Sequence, residues 1–315
     1  MIDRVHFESF QCLRNVTLDL RRFTALVGAN GCGKSSVLLG MHLLSRAAEV
    51  GVGAVFCGPR TPERLLHRGR PGTIVLAMRD TRGEDLRLEI HVGKEAELDF
   101  EIEGAHRTGN PTLVQLDVAD DEVAATLAWM ERTSPDKLAQ ITADLRRAIQ
   151  GVKRIETHRE LRGDAFAIEF DNGSEVPADL LGEGTARALR LLTALRAPDR
   201  PNLVLIDDLE RGLHLSAQSQ IVTMIHEAVF RDPELQVICA THSPYLLDLL
   251  DPSEVSVLAL DAERCTRARP LTDHPEFDKW RFGARTGELW AALGEEWVLE
   301  AEQATGSLIA GRTSP

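Results

Sequence analysis

Between Phe23 and Met41 the chain reads F-T-A-L-V-G-A-N-G-C-G-K-S-S-V-L-L-G-M. An apolar strand, Phe23 to Val27, breaks at Gly28, and a glycine-rich turn leads into a helix opening at Lys34. Gly28, Gly33, Lys34 and Ser35 fit the G-x-x-x-x-G-K-[ST] spacing of a phosphate-binding loop. The spacing has a physical cause. Residues without a Cβ let the turn fold tightly enough for successive N–H groups to face one anion. The positive end of the following helix dipole points at the same place. Lys34 then reaches the β- and γ-phosphates, and the Ser35 hydroxyl becomes a Mg²⁺ ligand. A chance match in a glycine-rich turn is the competing reading, and the strand-to-helix context argues against it.

That loop needs a parallel sheet behind it, and the second half of the chain supplies one. After Pro177, a helix at Gly184 to Arg196, an apolar strand at Leu203 to Ile206 and a helix at Leu215 to Phe230 follow in turn. Val237 to Ala240 is a second apolar strand, followed by a helix at Pro244 to Leu250 and a further strand at Val255 to Leu260. Continuously apolar strands alternating with helices read as a parallel sheet covered on both faces. The first and middle parts differ. Arg4 to Phe10 and Val16 to Leu20 alternate apolar and polar residues and read as an antiparallel pair. Four alternating runs between Thr73 and about Ala119 (T-I-V-L-A-M, L-R-L-E-I-H-V, L-D-F-E-I-E and T-L-V-Q-L-D-V) read as an antiparallel meander. Asp121 to Glu131 and Pro135 to Gln150 have helical spacing, with Asp120 and Ser134 as N-caps, and Asp171 to Gly173 is a D-N-G turn. The expected organisation is a loop-bearing lobe at 1–72, the meander and helical insertion at 73–176, and a second lobe at 177–315.

Composition narrows the partners. The chain has 315 residues and a net charge of −13, from 36 basic and 49 acidic residues, which argues against a global electrostatic grip on nucleic acid. Two local basic groups remain: Arg60, Arg64, Arg68 and Arg70 with His67, and Arg154, His158, Arg159 and Arg162. A solvated charged face is the first reading for each and a DNA contact the second. Cys12, Cys32, Cys57, Cys239 and Cys265 are scattered and form no C-x-x-C pair, which speaks for a reducing cytoplasmic setting and against a disulfide framework or zinc site. No stretch reads as a secretory signal or a membrane span.

Two further segments carry chemistry. L-V-L-I-D-D, Leu203 to Asp208, is a buried strand ending in two carboxylates. Asp207 is placed to complete the Mg²⁺ shell, and Asp208 to orient or deprotonate an attacking water; turn chemistry is the alternative for such a pair. V-I-C-A-T-H-S, Val237 to Ser243, puts His242 at the carboxyl end of the next strand, where ligands of open parallel sheets bind. His242 reads there as a γ-phosphate sensor or as a hydrogen-bonded loop residue. In L-L-G-E-G-T-A-R-A-L, Leu180 to Leu189, exposed amides could meet an anion, or the segment is an ordinary helix start capped by Thr185.

Together these pieces resemble the ATP-binding-cassette ATPases of the structural-maintenance-of-chromosomes (SMC) and recombination-repair type. Within that group the chain is similar to stand-alone AAA-type ATPases related to the overcoming-lysogenization-defect proteins of anti-phage systems. The likeness runs through F-E-S-F-Q-C-L-R-N-V-T-L-D-L, the phosphate loop, L-L-G-E-G-T-A-R-A-L-R-L-L-T-A-L, L-V-L-I-D-D-L-E-R-G-L-H, A-T-H-S-P and the tail G-E-L-W-A-A-L-G-E-E-W. It implies an α/β fold: an ABC-ATPase-like mixed sheet with phosphate loop, antiparallel β-meander and helical insertion. It implies that Gly28, Asn30, Gly31, Cys32, Gly33, Lys34, Ser35 and Ser36 hold ATP. It makes Ser35 and Asp207 the Mg²⁺ ligands, and Asp208, His242 and Glu210 the catalytic group. It further implies a homodimer in which Gly182, Glu183 and Gly184 of one subunit cap ATP held by the other. Two departures stand out. Gly182 takes the place of the family's serine, and Asp208 the place of its catalytic glutamate. A base misplaced by about 1 Å loses on the order of a hundredfold in rate, so slow hydrolysis is expected. Glu210 either assists or braces the loop, and Gln115 is the candidate for the family's glutamine loop. The tail carries Glu288, Glu295 and Glu296 among Trp280, Trp290 and Trp297, a pattern of a packed cap or a partner-binding surface, so an effector protein would act in trans.

Overall fold

The computed structural model describes residues 1–300 except 58–59, 70–71, 93–97, 104–111, 115–119, 162, 199 and 281. Alternation of apolar and polar residues makes β1 (Ile2–Phe10) and β2 (Leu13–Asp19) an antiparallel pair, in register from Arg4 opposite Asp19 to Phe10 opposite Leu13. β3 (Phe23–Val27) is apolar except for Thr24, whose Oγ1 accepts from Arg21 N–H at 2.8 Å, and every residue of it is buried. It runs into the glycine turn and then α1 (Lys34–Val50), followed by the short helices α2 (Val52–Val55) and α3 (Pro62–Leu65).

The next strands, β4 (Gly72–Asp80), β5 (Asp85–Val92) and β6 (Leu98–Glu103), form the expected meander, but not a separate one. β4 pairs with β1, giving a five-stranded antiparallel sheet ordered β2-β1-β4-β5-β6. The fourth alternating run departs further from expectation. Its strand, β7 (Thr112–Val114), leaves the meander and pairs in parallel with β11 (Leu203–Ile206), Leu113 opposite Leu205. The backbone groups on that side of β11 would otherwise be unpaired, and β7 satisfies them. Gln115 lies outside the described residues, as do Arg70 and Arg162.

Two helices, α4 (Asp120–Thr133) and α5 (Pro135–Ala148), then precede a three-stranded sheet of β8 (Val152–Glu160), β9 (Gly163–Phe170) and β10 (Glu175–Pro177). Ser134 stands at the N-cap position of α5 but its hydroxyl makes no capping bond. The D-N-G turn joins β9 to β10, with Gly173 at φ +82° and Asn172 Oδ1 accepting from Ser174 N–H at 2.9 Å. β8 was not legible: V-K-R-I-E-T-H-R-E is largely charged, and only Val152 and Ile155 are buried.

α6 (Glu183–Arg196), β11, α7 (Leu215–Arg231), β12 (Gln236–Ala240), α8 (Pro244–Leu247), β13 (Val255–Leu260) and β14 (Thr266–Pro270) complete the main sheet, ordered β14-β13-β3-β12-β11-β7. All its pairings are parallel except that of β13 with β14. α9 (Phe277–Trp280) and α10 (Thr286–Leu293) follow. Alternate residues of the central strands go to opposite cores. Leu26, Leu203, Leu205, Ile238 and Ala240 pack with α1 and the antiparallel sheet. Ala25, Val27, Val204, Ile206, Val237 and Cys239 pack with α4 to α8. At about 1.5–3 kcal/mol for each large apolar side chain removed from water, a strand with two dry faces must be apolar at every position. Thr24 of β3, Ser256 of β13 and Gln236 of β12 are polar exceptions, and Gln236 is the largest of them. It is buried, its Oε1 accepts from Ile2 N–H at 2.9 Å, and its Nε2 donates to Ile2 O at 2.7 Å and Arg21 O at 2.9 Å, tying the two sheets together. Among the described residues no helix is long and apolar enough to cross a membrane.

Candidate nucleotide site

β3, β12 and β11 are adjacent and parallel, so their carboxyl ends form one edge, with Leu26 opposite Ala240 and Cys239 opposite Ile206. The phosphate loop, His242 and Asp207 are the residues that leave those three ends. The loop has the geometry its glycines predict. Gly28 has φ +146°, and a Cβ there would stand 2.1 Å from Leu258 O; Gly33 has φ +107° at the N-cap of α1. Lys34 is buried and folds back over the turn, donating to Gly28 O at 2.8 Å and Ala29 O at 3.0 Å, with Cys32 Sγ 3.7 Å away. Burial pushes the Cys32 thiol up, so it is a small packed side chain in the turn. Ser36 Oγ donates to Gln11 Oε1 at 2.5 Å.

The two halves of the site meet directly. Ser35 Oγ donates to Asp207 Oδ1 at 3.0 Å. Burial raises the Asp207 carboxyl above its ordinary value; the Ser35 hydroxyl opposes that shift, and Asp208 adds to it. A hydroxyl and a carboxylate in hydrogen-bonding reach, both hard oxygen donors, fit a small divalent cation such as Mg²⁺, whose positive charge would favour the ionised Asp207 carboxylate that burial disfavours. Asp208 has φ +48°, a conformation that few residues other than glycine adopt. Glu210 holds the switch segment, Thr241 to Ser243 after β12: one oxygen accepts from Thr241 Oγ1 at 2.7 Å and the other from His242 N–H at 2.7 Å. Those bonds describe the bracing alternative. The His242 ring is half-buried and makes no hydrogen bond with the described residues.

Gly182, Glu183 and Gly184 lie at the start of α6 and, among the described residues, no hydrogen bond or ion pair joins them to the phosphate loop of the same chain. Gly182 is the N-cap; Thr185 is inside the helix and donates its own N–H to Gly182 O at 3.0 Å, so it does not cap. Gly184 packs against the turn after β11, where a Cβ would stand 2.1 Å from Gly212 O, and Arg211 Nε pairs with Glu183 Oε1 at 3.0 Å.

Two residues near the site, Arg187 and Gln218, escaped the sequence reading, and a third, Glu295, was read there only as part of a tail cap or partner-binding surface. Arg187, 3% exposed on α6, points its guanidinium at the backbone of the carboxylate pair, with Nη2 donating to Asp207 O and, at 2.6 Å, to Asp208 O. Burial holds it below the ordinary arginine value. Gln218 supports the switch from α7, its Oε1 accepting from Ser243 Oγ at 3.2 Å. Glu295, from the tail, accepts from Ala29 N–H at 2.8 Å. Arginine and glutamine at helical positions announce nothing by themselves; only the fold aims them. In the second basic group Arg154 pairs with Glu156 and Glu169, and His158 with Glu175.

A family model described as AAA domain, putative AbiEii toxin, Type IV TA system, matches residues 23–248, from β3 through the switch segment. The chain belongs to this AAA-domain family. No curated protein matches it significantly. Among solved structures it is similar to the SMC head domain from Thermotoga maritima, at 12% identity and a TM-score of 0.50, covering 85% of this chain and 98% of that one. It is also similar to the Smc head domain of Pyrococcus furiosus with an extended coiled coil, bound to the C-terminal domain of ScpA, at 10% identity and a TM-score of 0.56, covering 85% and 95%. The fold is therefore that of an SMC-type ATPase head, mixed sheet, meander and helices included.

Proposed function

We propose that the chain binds ATP with Mg²⁺ through Gly28 to Ser36 and Asp207, hydrolyses it slowly, and uses the bound state to gate a homodimer that acts on a partner effector. The observation that carries this reading is the Ser35–Asp207 hydrogen bond at 3.0 Å. It joins two segments 172 residues apart at the place where the phosphate end of a nucleotide and its cation must be held. In this reading Lys34 neutralises the β- and γ-phosphates, and the loop amides and the α1 dipole supply the remaining positive field. Mg²⁺ on Ser35 and Asp207 supplies charge stabilisation at the terminal phosphate. Asp208 orients water, His242 senses the terminal phosphate, and Glu210 fixes where His242 stands. Gly182 to Gly184 make no hydrogen bond to their own loop among the described residues, which supports a role toward a second subunit. The family description, with its toxin–antitoxin wording, favours anti-phage defence over DNA maintenance as the setting, and the scattered free cysteines favour the cytoplasm as the place.

A second reading, an ATP-bound switch or scaffold with negligible turnover, is favoured by Gly182, which lacks a hydroxyl, and by the short Asp208 side chain. One experiment treats both. Size-exclusion chromatography with and without ATP-Mg²⁺ is run on the native chain and Lys34→Ala, and phosphate release is measured on the native chain and Asp208→Glu. ATP-dependent association lost in Lys34→Ala supports the site; unchanged ATP affinity in that variant refutes it. A silent native chain beside an active Glu variant selects the switch.

A further inference from the structure

The phosphate loop carries a carboxylate supplied by its own chain. Glu295 Oε2 accepts from Ala29 N–H at 2.8 Å, the second residue of a turn built to present amides to an anion. The contact is delivered, not incidental. α10 stops at Gly294, whose φ of +64° turns the chain away from the helix axis. Beyond it Trp297 and Val298 are core residues, 5% and 2% exposed. The Trp297 ring packs edge-on against His274 at 5.1 Å and beneath the Arg269 guanidinium at 5.4 Å, and its Nε1 donates to Gly294 O at 3.2 Å. Glu295 is thus held between a helix end and a buried indole. Its neighbour Glu296 makes no such bond.

The same tail is fastened to the switch. Gly287 N–H of α10 donates to Asp248 Oδ1 at 2.9 Å, and Thr286 Oγ1 donates to Leu250 O at 2.7 Å. Asp248 and Leu250 follow directly on α8, which begins two residues after His242. One rigid piece therefore touches the phosphate loop at one end and the switch helix at the other.

We propose that Glu295 is a tethered occupant of the phosphate loop, its carboxylate standing in the same positive field of loop amides and Lys34 that the terminal phosphate of ATP must enter. Triphosphate binding then releases the 294–298 turn, and α10 carries that release to α8. The idea rests on the nucleotide reading above. A carboxylate beside a triphosphate is a like-charge contact, so each ligand disfavours the other. A nucleotide whose competent state is only part-populated binds more weakly by that fraction.

The test is ATP-Mg²⁺ affinity by calorimetry on the full chain, with Glu295→Gln, Glu295→Ala, Glu296→Gln as neighbour control, and Lys34→Ala. Both Glu295 variants should tighten ATP about three- to tenfold, with Glu296→Gln unchanged. Hydrogen exchange of the 294–298 amides in the native chain should quicken on adding ATP. Glu295 variants that bind like the native chain, or more weakly, overturn the proposal, as does exchange at 294–298 that stays fixed or slows. Lys34-dependent ATP binding indifferent to Glu295 removes the competition alone. A native chain that binds no ATP, or a Lys34→Ala variant that binds as well, removes the nucleotide reading and the competition with it.

Discussion

Replacing Gly184 by alanine drives a methyl group into a backbone carbonyl. The added Cβ would stand 2.1 Å from Gly212 O and 3.1 Å from Gly212 C, where contact needs at least about 3.4 Å, so a backbone must move by about an ångström. Neither backbone is free to move. Gly184 is in the first turn of α6, whose Arg187 is buried against Asp207 and Asp208. Gly212 is in a turn closed by Leu213 N–H to Glu210 O at 3.0 Å and Arg211 N–H to Asp208 O at 3.0 Å. Overpacking of this kind costs about 1–3 kcal/mol, and alanine's better helix propensity returns up to about 1 kcal/mol, leaving about 2 kcal/mol. With an unfolding entropy of about 2.1 cal/mol/K per residue, a chain of 315 residues loses about 3 °C in Tm for that amount. Gly182→Ala is the control, since a Cβ there meets nothing within 4 Å, and its Tm should fall by less than about 1 °C. Differential scanning calorimetry of the two variants reads the difference. Equal melting temperatures would show that the α6 start and the turn after β11 are not packed this closely.

Gln236→Met keeps the volume but strands Ile2 N–H and the carbonyls of Ile2 and Arg21. It should cost about 2–3 kcal/mol, read as a drop of about 3–5 °C in Tm by calorimetry; a loss below 1 °C would contradict the role of this side chain as the tie between sheets. Asp80 gives a pH signature. Burial works against its ionised form, but Glu84 N–H, the Arg82 guanidinium and Arg82 N–H hold the carboxyl down at about 2. A folded value below the unfolded one near 3.9 means a stabilising contribution present in full above about pH 4 and lost as pH falls toward about 2. Asp80→Asn should flatten acid unfolding in that window, and an unchanged acid limb would refute it.

What could be read from the sequence was whatever chemistry is local. The phosphate loop is legible because five consecutive functions, turn, amide cradle, cation, hydroxyl and helix dipole, must fall within eight residues. Asp207 and His242 are legible because a buried parallel strand has to be apolar until it ends, so the first polar residue marks the rim. β7 was misassigned because alternation marks a strand without naming its partner, and T-L-V-Q-L-D-V alternates like the meander strands before it. β8 was missed because a strand with one wet face can be almost entirely charged. Arg187 and Glu295 were invisible as partners for a different reason: their targets are backbone groups, Asp207 O, Asp208 O and Ala29 N–H, and every residue has those. Only the path of the chain singles out which one is met.

Asp208 shows how backbone and chemistry combine at such a site. Read as chemistry alone, aspartate in place of glutamate is a base drawn back by one methylene. The backbone adds a second cause: at φ +48° the left-handed region disfavours most side chains by about 1–2 kcal/mol, and aspartate is among the few that visit it routinely. Arg187 holds that conformation through the Asp208 carbonyl, and Glu210, two residues on, carries it to Thr241 and His242. Lengthening the side chain in Asp208→Glu therefore gains reach toward water while straining the turn that sets His242. A raised rate of phosphate release together with a lowered Tm is the outcome this balance requires; a faster variant with unchanged Tm would mean that the backbone at 208 imposes nothing, and that aspartate stands there for its chemistry alone.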